Sequence, residues 1–360
     1  MNTTKISNYN KLIAFFLIIV ALLSILVISA KGWQTNDVPS NNLNKNETNN
    51  ENSGENKLPS ELPTTHPEIN TPKFYHYLTG VEIDEKILGD SQVAYVIDGN
   101  SPLCGISNAN LLIEFPIENG KTRYIMVADK SKDLPKVGSI TYSRYFISNL
   151  AATFGATIIS LGNDDAIEYD HVNTSTCQVD LQKNTGTYYT EYTYFTYTSS
   201  KLIEQSLVSS STIQNILPYA FKDNLIAEGT LSATTINIPY EVQTSAVYSQ
   251  LENKYCIYKM GSDKIDVSSS ASVMFTNVLI LYADSITYET ADKTQMVINT
   301  IGSGCGYFAY GGAAEEIRWS MDSEGNLSLF NKNGKKLEIG RGNTYIAYVK
   351  SSKTNNLIFQ

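Results

Sequence analysis

Histidine is scarce in this chain of 360 residues: His66, His76 and His171 are all it has. A metal centre built on several imidazoles is thereby excluded. Cationic charge is also short, with 27 Lys and Arg against 36 Asp and Glu, a net charge of −9 and a pI near 5.0. That balance argues against nucleic acid as a partner and against capture by an anionic membrane surface. The four cysteines (104, 177, 256 and 305) include no CxxC spacing, which argues against zinc and leaves every disulfide pairing open. No segment has the specificity of a nucleophile elbow or a Walker loop. No metal and no cofactor is expected. What the chain does have is 42% apolar residues and 24 Tyr, enough for real cores, so a wholly disordered or collagen-like chain is excluded. Its length allows about two domains plus extras.

Leu12 to Ala30 is an apolar run with no charge and only two Ser, long enough at about 1.5 Å per residue to span a bilayer core of roughly 30 Å. Lys5 and Lys11 precede it, which orients residues 1–11 to the cytoplasm. The expectation is an uncleaved signal anchor, with a cleaved secretory signal as the rival. The run exceeds an ordinary signal core, and Ile28-Ser29-Ala30 lacks the small residue that cleavage requires. Residues 31–72 are rich in Asn, Ser, Thr, Glu and Pro and cannot bury enough surface to offset ordering, so they are expected to form a disordered tether.

Beyond residue 73 the chain is patterned. Gln92–Asp98, Asn110–Phe115, Thr122–Ala128 and Ala156–Leu161 are apolar runs of strand length. Ser143–Phe154 has Phe146, Ile147, Leu150 and Phe154 at helical spacing, with Gly155 as a C-cap, and Ser199–Phe221 is a second helical candidate. Further strands are expected at 234–242, 255–259, 272–282, 295–300, 317–319, 327–330, 336–339 and 344–349. The fold class is α+β. A mixed α/β N-terminal domain (73–230) precedes a strand-rich, largely antiparallel C-terminal domain (231–360), behind a single transmembrane helix.

Asp98 ends an apolar strand, where α/β sheets place functional side chains. Glu114, Glu118, Arg123 and Arg144 are candidates to converge beside it as a carboxylate and guanidinium cluster. Two carboxylates in different environments can divide acid and base work, and an arginine can fix a phosphate or carboxylate. The structural alternative is turn caps and buried ion pairs. Asp164, Asp165, Asp170 and His171 form an acidic loop with no EF-hand spacing. Gly302-Ser303-Gly304-Cys305-Gly306 resembles a phosphate loop, but no helix follows, so a tight turn or bulge is expected. Gly186–Ser200 alternates Tyr, Thr and Phe as strands do, and its functional reading is an aromatic platform for glycan rings or a partner's apolar patch.

The segments VAYVIDGN, CGISNANLLIEFPIENGKTRYIMV and KVGSITYSRYFISNLAATFGATIISLGND resemble the N-terminal domain of the DUF3048 family, which includes the YerB-type lipoproteins of Gram-positive bacteria. VMFTNVLILYADS, INTIGSGCGYFAYGGAAEEIRWS and LFNKNGKKLEIGRGNTYIAYV resemble its C-terminal domain. Asp98, Gly105, Ser107, Ala109, Glu114, Glu118, Gly120, Thr122, Arg123 and Arg144 match the family pattern. Thr141 replaces the first arginine of a pair, Tyr194–Ser199 lacks the family's His and Asn, and a His-x-Asp becomes Lys264-Ile265-Asp266. The resemblance implies a membrane-attached, extracytoplasmic protein whose biochemical function is not established. The lost polar residues count against catalysis. The expected role is therefore a binding or accessory one at the Gram-positive cell envelope, with the membrane as a partner through Leu12–Ala30 and a cell-wall glycan or envelope protein as another. A cell-envelope hydrolase using Asp98, Glu114 or Glu118 with arginine clamps is the second reading. A small-ligand sensor with its site in an interdomain cleft is the third.

Overall fold

Strands with apolar residues on both faces must be covered on both sides, and the four N-terminal runs have that character. The computed structural model describes residues 72–164, 177–207, 216–225, 231–263, 265–289 and 293–360. The expected anchor and tether lie outside them, and among the described residues no helix is long and apolar enough to cross a membrane. In chain order the principal strands are β1 (Gln92–Asp98), β2 (Leu111–Pro116) and β3 (Thr122–Asp129), then helix α1 (Tyr145–Thr153), β4 (Ala156–Ser160) and β5 (Gln178–Asp180). There follow β6 (Thr235–Ile238), β7 (Thr244–Ser249), β8 (Lys254–Lys259), β9 (Asn277–Ala283), β10 (Ser285–Glu289) and β11 (Thr294–Ile298). The last are β12 (Gly302–Tyr310), β13 (Ala313–Met321), β14 (Leu327–Asn331) and β15 (Thr344–Lys350).

One 11-stranded sheet takes strands from both sides of the expected boundary at 230/231, in the order Leu231–Ser232, β13, β12, β9, β15, β2, β3, β1, β4, β5, with β14 against β13. β15 runs parallel to β9 on one side and to β2 on the other, Ile346 facing Leu279 and Ile113. β1 is antiparallel to β3 and parallel to β4, the mixed arrangement expected of the N-terminal half. The two halves share this sheet, and a small pocket lined by Ile117 and Thr122 from one half and Tyr240 and Lys350 from the other lies where they meet. On one face lie α1 and the β10–β11 hairpin, which pack Phe146, Ile147, Leu150 and Met296–Ile298 against Val96, Ile125 and Ile346. On the other lies a six-stranded sheet containing β6, β7 and β8, which packs Ile236, Ala246, Ile257 and Phe275 against Tyr95, Met126 and Tyr345.

α1 forms where the spacing puts it, its buried stripe including Phe146, Ile147 and Leu150, and Gly155 takes the left-handed conformation after it (φ 62°). The second helical candidate is a correction. Among the described residues of this segment only Ser200–Ile203 is α-helical, a 3₁₀ turn follows at Gln205–Leu207, and Ala220–Lys222 is a strand parallel to Glu338–Gly340. Ser199 caps that helix by accepting the Leu202 amide (3.2 Å), but residues 208–215 lie outside the described set.

The glycine-rich segment is also corrected, from a turn to the start of β12. The indole of Trp319 on β13 lies against Gly304 and donates to the carbonyl of Tyr282 (2.9 Å), and the Ile280 carbonyl occupies the place of a Cβ at Gly306. Glycine is required there by close approach, not by an anion. All four cysteines are unpaired thiols, Cys104 and Cys256 buried and Cys177 and Cys305 exposed. Replacing Ile346 by Ala, at the middle of the shared seam, should cost about 2–5 kcal/mol in urea unfolding, with the denaturant slope unchanged.

Candidate functional site

β1 and β4 are parallel, β4 ending at Ser160 two residues short of the level of Asp98, and antiparallel β3 begins on the other side of β1 with Arg123 opposite Asp98. Alternation sets the faces. Tyr124 points into the core under the six-stranded sheet and Ile125 into the core under α1, so Arg123 shares the α1 face. Glu118 sits in the β2–β3 connection and Arg144 immediately precedes α1. Four of the five candidates thus gather at one end of the sheet, on one face.

Their geometry is specific. Arg144, 1% exposed, grips Glu118 with two bonds, Nη1 to Oε2 at 2.9 Å and Nη2 to Oε1 at 2.6 Å. The same pair clasps β11: the Met296 amide donates to Glu118 Oε2 (3.1 Å), and Arg144 Nη1 donates to the Met296 carbonyl (3.0 Å). Burial works to raise the Glu118 pKa, but the hydrogen bonds and charge of Arg144, with the Met296 amide, overcome it and bring it down to about 2. Glu118 is therefore a fixed anion at any physiological pH and no proton donor. Asp98 accepts the Asn100 amide (3.0 Å) and the Ser101 hydroxyl (2.8 Å), which is a turn cap.

Arg123 differs from the rest. It is 7% exposed, donates Nη1 to the Tyr142 carbonyl (2.9 Å), and among the described residues has no carboxylate at ion-pair distance. Burial, then the neighbouring charge of Arg144, lower its pKa to about 10, which still leaves it a cation at neutral pH. Among the described residues its Nε has no hydrogen-bond partner, and neither do the buried Arg144 Nε and Ser143 Oγ. Each such donor costs about 1–3 kcal/mol if nothing meets it. A cationic donor set of this kind is suited to a carboxylate or phosphate.

Glu114 is not part of this cluster. Its strand phase puts it on the opposite face, fully buried, with Lys259 Nζ 2.7 Å from Oε1 and the Tyr345 hydroxyl donating to Oε2 at 2.5 Å. Lys259 also donates to Thr122 Oγ1 (2.6 Å) and lies 5.1 Å from the Tyr124 ring centroid, while the Tyr240 hydroxyl reaches the Glu114 carbonyl (3.1 Å). Burial, and then the Glu114 charge, hold the Tyr124, Tyr240 and Tyr345 phenols well above their ordinary pKa. This is a closed network, the ion-pair alternative that the sequence left open.

Asp266, the residue retained from the family's His-x-Asp, is equally structural. Its carboxylate accepts from the Gly105, Ser107 and Ser268 amides and from two serine hydroxyls, and these bonds outweigh the burial that would otherwise raise its pKa. Sequence reasoning missed Lys259, which sits in an unremarkable strand, and His76. His76 Nδ1 accepts the Leu78 and Thr79 amides, so Nε2 carries the proton given to Asp129 Oδ1 (2.7 Å). Asp164 pairs with Lys293, and Asp165, Asp170 and His171 lie outside the described residues. Among the described residues no three His, Cys, Asp or Glu come together as a metal site. Tyr192 and Tyr194, at the tip of a hairpin, are highly exposed.

Where β4 and β5 end lies an open cleft of about 520 Å³ lined by Asn163, Gln178, Asp180, Gln182, Lys183 and Asn184 among others, with neither arginine in its lining. Tyr142 connects Arg123 to the cleft: its carbonyl takes Arg123 and its hydroxyl accepts Gln182 Nε2 (3.2 Å).

Glu118→Gln should lower stability by about 3 kcal/mol at pH 7, since it leaves Arg144 buried and unpaired. Because the folded Glu118 pKa lies below its ordinary 4.5, its contribution is complete above about pH 5 and is lost as pH falls towards 2. Urea titrations at several pH values should therefore show the two proteins converging in acid. Asp129, whose pKa is also lowered to about 2, supplies acid sensitivity that remains in both.

Residues 78–221 match the N-terminal domain, and residues 235–346 the C-terminal domain, of a protein of unknown function, DUF3048. The crystal structure of the YerB protein from Bacillus subtilis is similar, with a TM-score of 0.66 at 20% identity, covering 77% of this chain and 97% of that one. No curated protein matches the sequence. The order of the two matched segments, the sheet they share and the likeness of fold lead to one conclusion: the chain belongs to the DUF3048 family.

Proposed function

We propose that this is a non-catalytic binding protein of the Gram-positive cell envelope, held by Leu12–Ala30 and recognising an anionic group of its ligand through Arg123. The observation that carries the reading is Arg123 itself, a buried guanidinium that among the described residues forms no ion pair, beside a second arginine that is already paired. Bringing such a group out of water is stabilising only when an acceptor meets it, and a ligand carboxylate or phosphate supplies that acceptor. The site stands at the carboxyl ends of parallel strands, where α/β sheets leave room for ligands.

The hydrolase reading loses support for a stated reason. Glu118 is locked as an anion, Glu114 faces the other side of the sheet and Asp98 caps a turn, so no two carboxylates are placed to divide acid and base roles. The anchor and the address rest on the apolar run, its flanking lysines and the resemblance to membrane-attached relatives.

Two experiments test this. Acidic wall fragments should raise the thermal midpoint of the purified protein, and Arg123→Gln, which removes the charge, should abolish the shift between pH 5 and 8. A shift retained in Arg123→Gln sinks the site assignment. Fractionation of cells should place the chain with membranes, and protease added to protoplasts should digest its folded body. Recovery in the soluble cytoplasm would refute the envelope location.

A further inference from the structure

The cleft linked to Arg123 through Tyr142 has a chemistry of its own. Asn163 and Gly162 follow β4, Gln178 and Asp180 belong to β5, and Gln182 and Asn184 belong to the turn after it. Asp180 brings no free charge, since it accepts the Gln182 amide (3.0 Å) and pairs with Lys183 (3.3 Å). What remains is a wall of four carboxamides. Gln178 Nε2 donates to Ser160 Oγ (2.9 Å) and Asn163 Oδ1 (3.0 Å), and Asn184 Nδ2 donates to the Asp180 carbonyl (2.7 Å). Among the described residues, Gln178 Oε1, Asn163 Nδ2 and Asn184 Oδ1 make no hydrogen bond, which leaves both acceptors and a donor to spare.

A carboxamide offers one group of each kind, and so does a hydroxyl, which donates once and accepts twice. Rows of vicinal hydroxyls are thus the natural partner for such a wall. Tyr142, 37% exposed at the rim, adds an aromatic surface for the apolar face of a ring. The volume of about 520 Å³ suits one or two sugar rings.

We infer that this cleft is a saccharide subsite, and that the ligand is an acidic saccharide whose hydroxyls meet Asn163, Gln178, Gln182 and Asn184 while its acid group reaches Arg123. The inference rests on the anion-binding reading of Arg123 and adds the substrate class.

The test is a ligand-observed NMR titration of the full chain in a zwitterionic detergent with three probes: cellobiouronic acid, neutral cellobiose and acetate. The acidic disaccharide should bind at least tenfold more tightly than either other probe. Gln182→Ala and Tyr142→Ala, on exposed side chains, should each weaken both sugars severalfold and leave acetate unchanged. Arg123→Gln should weaken the acidic sugar and acetate and leave cellobiose unchanged. Circular dichroism must show all three variants folded. Acetate binding that depends on Arg123, with no gain from the sugar, overturns the saccharide subsite and keeps the arginine reading. Cellobiose binding that depends on Gln182, with no gain from the acid and no effect of Arg123→Gln, overturns the arginine reading and with it the acidic class. If none of the three binds, both are overturned.

Discussion

The pairing of β15 with β2 is the interaction on which the rest of this protein depends. It joins Thr344 to Leu111 and Ala347 to Glu114, so segments far apart in sequence lie side by side in the middle of one sheet. Both faces of that sheet are covered, so a charged side chain that enters it carries a desolvation cost unless it is met. Three polar clusters bond across the two halves. Glu114 takes Lys259 and Tyr345, Glu118 with Arg144 takes the Met296 backbone, and Asp266 takes the amides of Gly105 and Ser107. The family's two sequence domains are thus welded into one body by hydrophobic strands in the centre and ionic clasps at the periphery.

This arrangement gives Glu114 and Glu118 structural work. A carboxylate that clasps two halves must stay ionised and stay still, whereas a catalytic acid must exchange its proton. Arg123 escapes that assignment. It lies next to the Glu118–Arg144 clasp but is not consumed by it, and the clasp holds the neighbouring backbone of Ser143 and α1 in place. Arg123 itself keeps one bond, to the Tyr142 carbonyl, within this rigid surround.

Much of the fold could be read from the chain because it is built from continuous apolar runs. Gln92–Asp98, Thr122–Asp129 and Thr344–Lys350 are strands within a residue of their expected limits, and α1 falls within its expected segment. Where packing overrides local pattern, reading by period fails. The glycines of β12 look like a turn because their purpose, to admit the Trp319 indole and the Ile280 carbonyl, lies on other strands. Asp98, Glu118, Arg123 and Arg144 were found as a group through the family pattern. Glu114 was grouped with them because strand phase relative to a distant lysine leaves no local trace. The cleft carboxamides were invisible for a similar reason, since Asn and Gln are common on any surface and only topology brings these together.

The β15–β2 seam also sets the order of assembly. A strand that closes the centre of a sheet from the far end of the sequence cannot engage until nearly all of the chain is available. Until then β2 and β9 each present an unpaired apolar edge, the kind of edge that invites association with other chains. The protein's period of greatest vulnerability is therefore its own synthesis, and a chain interrupted before Thr344 would lack the strand that its two halves share.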